Sequence, residues 1–156
     1  MGEIKDPRHS RPIDVHRWSD HPEVKGLTDK VWTEAGLDGL VKVPGPKPKR
    51  PFIEQLRVLL LDLYVAWLED PDLSIGVSMD YDAWKVGSRY NALHISKKIL
   101  VIIPALHDAD LIDLSKGSYS GPNAKTNRTT RIRASEALRK WFVAARFGRE
   151  DIGRAI

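Results

Sequence analysis

The chain has 156 residues and no cysteine, which excludes disulfides, thiolate nucleophiles and zinc sites with cysteine ligands. Its hydrophobic content of 42% is that of a globular domain with a core and excludes a largely disordered chain. The net charge of +4 is the small difference between 25 basic and 21 acidic side chains, so the total by itself excludes no class of partner. Because a lack of cysteine fits a reducing compartment, we expect a cytoplasmic protein.

The first 21 residues form a polar segment with several arginines and histidines. This segment lacks the apolar stretch of a secretory signal, so residues 1–21 are expected to be a flexible arm. The longest apolar runs of the chain fall short of the roughly 18 residues that a membrane-spanning helix needs. We therefore expect no membrane span and no membrane partner.

Residues 22–36 predict a short amphipathic N-terminal helix, because apolar residues recur there at helical spacing. Pro22 suits the first turn of that helix, and Gly36 suits its C-terminal cap. Residues 37–51 contain four prolines, a composition typical of a stiff extended linker. This linker is expected to separate the N-terminal helix from the main domain, residues 52–149.

The main domain opens with a helical pattern from Phe52 to Glu69, whose broad apolar face predicts a buried helix. The turn EDPD ends the helix, and apolar and polar residues then alternate from Leu73 to Met79 as in a half-buried strand. Asp80 or Asp82 suits the cap of a short helix, and Ser96 suits the cap of the next one. The two helices form a helix-turn-helix candidate.

The segment from Lys97 to Ala109 is rich in β-branched residues and fits either a helix or a buried strand. A helix is favoured because the segment is longer than most strands. In addition, Ile99, Ile103 and Leu106 fall on one helical stripe. Pro104 is then expected to kink the helix.

Two alternating apolar runs between Leu111 and Ala134 flank a long polar loop, which predicts a β-hairpin. The loop contains glycine, proline and asparagine, the residue types that turns require. After the hairpin, Ser135 suits the cap of a final helix that carries Trp141 and Phe142 on its apolar face.

Charge is segregated along the main domain. Between residues 51 and 114 there are five lysines and arginines against ten aspartates and glutamates. Between residues 115 and 149 there are nine against one. A patch of one sign raises the local concentration of an oppositely charged polymer. The C-terminal third is therefore expected to contribute to a nucleic-acid-binding face.

This order of elements, with LHISKKILVIIPALHDADLIDLSKG running into TTRIRASEALRKWF, resembles winged-helix DNA-binding domains. The similarity is to those of plasmid and phage replication initiators and bacterial transcription regulators, and it covers roughly residues 52–147. It implies an α+β, mostly helical fold: a winged helix-turn-helix with an N-terminal helical extension and a tail at residues 150–156. Asp110 stands where that superfamily often has glycine, and Asp tolerates a left-handed backbone better than most residues.

The resemblance implies a double-stranded DNA-binding protein that acts in replication initiation or transcription regulation, without enzyme activity or a cofactor. The recognition helix would enter the major groove at its N-terminal end, and the wing would follow the backbone or enter the minor groove. Strand alternation predicts Arg131 and Arg133 on the solvent face and Ile132 in the core. The candidate DNA-binding residues are Arg89, Tyr90, Asn91, Ser96, Lys97, Lys98, Lys116, Ser118, Tyr119, Lys125, Thr126, Asn127, Arg128, Thr130, Arg131 and Arg133.

Other functions remain open. His107, Asp108, Asp110 and Asp113 are residue types that hold metals, which gives a metal-dependent nuclease as one alternative. No second group at metal-site spacing accompanies them, so a helix end without bound metal is favoured. A winged helix that serves only protein assembly is the other alternative. A homodimer is also compatible with the sequence, because many winged-helix proteins pair two domains on paired half-sites. The chain is equally compatible with a fragment of a longer protein.

Overall fold

The computed structural model describes residues 15–40, 50–77, 92–93, 99–115 and 130–145. These residues form an α+β fold that is mostly helical and contains one small sheet. In chain order the elements are α1 (Val15–Trp18), α2 (Pro22–Glu34), α3 (Leu37–Leu40), α4 (Arg50–Glu69), β1 (Ile75–Val77), β2 (Ala92–Leu93), α5 (Ile99–Asp108), β3 (Ile112–Ser115), β4 (Thr130–Ala134) and α6 (Glu136–Ala145).

Helix α4 lies at the centre of the core. It contacts α1, α2, α5, β1 and β4, and from Val58 to Ala66 every side chain is buried. A helix that is apolar on nearly all sides must be covered on nearly all sides, which explains its position. The predicted helix at residues 52–69 is confirmed, and it begins two residues earlier, at Arg50. Among the helices of the described residues, none is long and apolar enough to span a membrane.

The sheet has the strand order β2-β1-β4-β3. β4 pairs antiparallel with both β1 and β3, whereas the two-residue β2 pairs parallel with β1. Ile132 lies between Ile75 and Leu114 across the three antiparallel strands, so one face of the sheet is apolar and packs on the core. The predicted strand and hairpin arms are confirmed. β2 was not predicted, because two residues are too few for a periodic pattern.

The N-terminal helix is confirmed as α2, but it is not separated from the main domain. Val24, Leu27 and Val31 are buried, and α2 contacts both α4 and α6. Lys30 of α2 places its Nζ 4.4 Å from the centroid of the Trp141 ring on α6, a cation–π contact between the two helices. α2 is therefore part of the same packed body as the sheet.

The predicted flexible arm is wrong for residues 15–21, and the predicted linker is wrong at both of its ends. Val15 lies in α1 and is buried against the core. Gly36 has a φ of 64°, a left-handed conformation that ends α2 and turns the chain so that Leu37 of α3 is buried. At the other end of the predicted linker, residues 50–51 already belong to α4. In these segments, the burial of individual apolar side chains holds the chain against the core although most of the residues are polar.

α5 confirms the prediction of a helix in the segment that also fitted a strand. Ile102, Ile103 and Leu106 are buried in the core, and Pro104 lies within the helix on its exposed side. After α5, the Leu111 N–H donates to the Leu106 carbonyl and the Asp110 N–H donates to the His107 carbonyl, both at 3.0 Å. These two bonds form a Schellman motif, which requires a left-handed residue at its turn.

Asp110 is that residue, with a φ of 60°, as its position in the winged-helix resemblance predicts. We expect Asp110→Val to lower the free energy of unfolding by about 1–2 kcal/mol, because a β-branched side chain is strained in this conformation. Asp110→Gly should leave stability unchanged or raise it. Equilibrium urea denaturation measures both effects.

The matched control is Asp108→Val, because Asp108 is exposed and helical and its substitution removes the same side chain. Its effect should stay within about 0.5 kcal/mol. A loss for Asp110→Gly as large as that for Asp110→Val would show that the carboxylate, and not the backbone conformation, is what matters at position 110.

Candidate nucleic-acid interface

The hairpin arms carry polar side chains on the face of the sheet opposite the core. Asp113 of β3 is paired with Arg133 of β4, and Ser115 is paired with Arg131. Because side chains alternate along a strand, these four residues share one face while Ile132 points into the core. Along this face, the oppositely charged pair of Asp113 and Arg133 lies at the base of the hairpin. The pair of Ser115 and Arg131, which carries one positive charge, lies closer to the hairpin loop.

Arg133 is buried, so the prediction that it lies on the solvent face is wrong. It is 5% exposed. Its Nε donates to Asp113 Oδ2 and its Nη1 donates to Asp72 Oδ1, both at 2.9 Å. Two carboxylates balance the guanidinium, which makes its burial tolerable. Since a phosphate would have to displace them, we remove Arg133 from the candidate DNA contacts.

Asp72 also joins Arg133 to Arg139 on α6. The Arg139 Nη2 lies 3.8 Å from Asp72 Oδ1 and donates to the Pro71 carbonyl at 2.5 Å, while its Nε donates to the Ala134 carbonyl at 3.1 Å. These contacts tie the turn after α4 to β4 and to the first turns of α6. Sequence reasoning missed this role of Asp72, because 61 residues separate it from Arg133 and no local pattern links them.

Arg131 keeps its place as a candidate contact. It is half-buried, and its neighbours across the strands are Gly76 of β1 and Ser115 of β3, neither of which carries a charge. Its Nη2 donates to Ser115 Oγ at 3.4 Å, a weak hydrogen bond. Arg131 therefore places a positive charge where the hairpin arms lead into the loop.

Thr130 is buried, contrary to its prediction as a DNA contact, because it shares the core-facing side of β4 with Ile132. The remaining predicted contacts lie outside the described residues: Arg89, Tyr90, Asn91, Ser96, Lys97, Lys98, Lys116, Ser118, Tyr119, Lys125, Thr126, Asn127 and Arg128.

The exposed side of α5 is apolar and acidic. Val101, Pro104, His107 and Asp108 are exposed, and residues 99–108 include no lysine or arginine. Any cationic contact from this helix to DNA must therefore come from the residues that directly precede it, where the sequence has Ser96, Lys97 and Lys98.

The acidic cluster at the end of α5 is dispersed in the structure. Asp113 is paired with Arg133, Asp110 forms the left-handed turn, and His107 and Asp108 are exposed on the helix. In the part of the chain that the structure describes, no three histidine, cysteine, aspartate or glutamate residues are arranged to hold a metal ion. The cluster thus offers no support to the nuclease alternative.

Comparisons of the chain with protein-family models, curated proteins and solved structures found no match. Function is therefore inferred from the residues of this chain and their arrangement.

Proposed function

We propose that the protein binds double-stranded DNA as a winged-helix domain, through the N-terminal end of α5 and the cationic hairpin, in replication initiation or transcription regulation. The observation that carries the proposal is the distribution of charge along the polar face of the hairpin. At the base, Arg133 is balanced by two carboxylates, and Arg131 lies on the same face of β4, nearer the loop. The loop, residues 116–129, adds three cations and no acidic residue. Positive charge increases toward the loop, as binding to a phosphate backbone requires.

The order of elements supports the winged-helix assignment. In chain order, α4 is followed by β1, β2, α5, the hairpin and α6, and β1 pairs with the second hairpin arm, β4, in the same sheet. Asp110 has the left-handed backbone that this superfamily often achieves with glycine between the recognition helix and the wing.

The connection between α5 and the hairpin supports a shared binding face. Only Ala109, Asp110 and Leu111 join α5 to β3, and the two elements contact each other, so the chain reverses direction. α5 is about 15 Å long and β3 about 13 Å. The start of α5 and the loop end of the hairpin are therefore expected on the same side. One duplex could then contact the start of α5 in its groove and the hairpin along its backbone.

The test is a titration of a duplex of about 20 base pairs by fluorescence anisotropy at several salt concentrations. Each of Lys97→Ala, Arg128→Ala and Arg131→Ala should weaken binding about threefold to tenfold and make the plot of log K against log salt shallower by about 1, because each removes one phosphate contact.

Lys25→Ala is the matched control, because Lys25 is an exposed cation on α2. It should change neither the affinity nor the slope. Affinities within twofold of the wild type for Lys97→Ala and Arg128→Ala would overturn the proposal, provided that circular dichroism shows folded variants.

Selection of bound duplexes from a random library then separates the roles. Directly repeated sites would indicate an initiator that binds an origin, and a palindrome would indicate a dimeric regulator. Recovery of no motif would leave only a backbone-binding, architectural role.

A further inference from the structure

A groove separates the C-terminal end of α2 from the exposed side of α5. Its volume is about 610 Å³. Its floor is apolar and its small side chains leave the backbone accessible, and a single carboxylate lies at its edge. The residues that line it include Ala35, Gly36, Val101, Pro104, Ala105 and Asp108. Val101 is 40% exposed and contributes apolar surface to the groove.

Among the described residues, the charged side chains at the groove are acidic. Asp108 is the last residue of α5, so the negative end of that helix dipole adds to its carboxylate. α2 also ends at the groove, and Glu34 and Asp38 are exposed on either side of Gly36 along the chain. This potential disfavours a nucleic acid and favours an occupant that is apolar with a positive charge.

The exposed side of α6 has that chemistry. Lys140 lies near the middle of a stripe with Ala137, Val143 and Ala144, all of which are exposed. Val143 is 61% exposed, which makes it the most exposed large apolar side chain of the described residues. Together with Ala137 and Ala144, Val143 gives this side of α6 an apolar surface whose burial in a groove would be favourable.

We propose that the groove of one molecule binds α6 of a second copy of this chain. When α5 of one molecule and α6 of the other are antiparallel, the exposed residues of the two helices have matching spacing. With Lys140 opposite Asp108, residues three and four positions further along α6 lie opposite residues three and four positions earlier on α5. Val143 and Ala144 would thus contact Ala105 and Pro104.

Charge selects this contact over a symmetric one between two α5 helices. Within residues 99–108 the charged side chain on the exposed face is Asp108, so pairing two such faces would bury carboxylates without a cation. A contact between two different surfaces is head-to-tail and repeats from copy to copy. On DNA it would place the copies in the same direction. Asp108 is the last residue of α5, about 15 Å along the helix axis from its first turn, so the Asp108–Lys140 pair lies at the end of the helix away from the proposed DNA contact.

The test is sedimentation velocity of the full chain without DNA over a range of concentrations. The wild type should associate into dimers and longer species as concentration rises. Asp108→Lys and Lys140→Glu should each weaken association at least about tenfold, because each places like charges opposite one another. The double variant Asp108→Lys, Lys140→Glu and the equimolar mixture of the two single variants should both recover most of the association.

Lys25→Glu is the control, because it changes the net charge as Lys140→Glu does but lies about three turns of α2 away from the groove. Its association should equal that of the wild type. A wild type that stays monomeric up to about 1 mM would overturn the proposal. Wild-type association of Lys140→Glu would show that α6 is not the occupant and would overturn it as well. Because no DNA is present, the result is independent of the proposed function.

Discussion

Phe142→Ala is expected to lower the free energy of unfolding by about 3–5 kcal/mol. Phe142 is fully buried on α6, and its ring meets Tyr64 edge-on at a centroid distance of 5.3 Å and lies 5.7 Å from Trp67. The truncation removes both aromatic contacts between α6 and α4 and leaves a cavity that two large rings cannot fill without moving. Equilibrium denaturation in guanidinium, followed by circular dichroism, measures the loss.

The neighbouring Val143→Ala is the control for this substitution, because Val143 lies on the same helix but is 61% exposed. Its effect should stay within about 0.5 kcal/mol. A loss below about 1 kcal/mol for Phe142→Ala would mean that α6 contributes little to the core, in disagreement with the packing described above.

Arg133→Ala is expected to cost about 3 kcal/mol of stability. Removal of one partner from a buried ion pair leaves charge uncompensated, which typically costs about 3–5 kcal/mol. The lower end applies here because the side chains of Asp72 and Asp113 are 30% and 22% exposed and retain some hydration. The measurement is urea denaturation at neutral pH.

Two further variants identify the cause of that loss. Arg131→Met, on the same face of β4 but half-buried and opposite Ser115, should cost less than about 1 kcal/mol. Arg133→Met combined with Asp113→Leu should recover part of the stability, because Asp113 then no longer carries an uncompensated charge and Asp72 keeps its contact with Arg139 at 3.8 Å. If the double variant is less stable than Arg133→Ala, packing and not charge explains the role of Arg133.

The longer elements of the fold follow from periodic patterns. The apolar spacing of α4 is so regular that its bounds differ from the prediction by only two residues. α5 is helical in spite of its β-branched residues, because the helical arrangement buries Ile102, Ile103 and Leu106 together. α1 and α3 were missed, since a single helical turn has no measurable period and is held by one buried residue, Val15 or Leu37.

The candidate site was predicted less well than the fold. Alternation correctly placed Arg131 and Arg133 on the face opposite Ile132, but that face was taken to be exposed. Whether a side chain on such a face meets water depends on what else folds against it, and Asp72 comes from a distant turn. The segregation of charge was visible in the sequence, whereas the identity of the neutralised arginines required the tertiary structure.

The carboxylate that Arg133 and Arg139 share has a consequence for cooperativity. Asp72 holds the base of the hairpin and the first turns of α6 together, so a displacement of one is transmitted to the other. If the hairpin contacts a duplex and α6 contacts a neighbouring molecule, the two equilibria are linked. Such a linkage acts equally in both directions, so DNA binding at the hairpin would change the self-association constant by the same factor by which self-association changes the affinity for DNA.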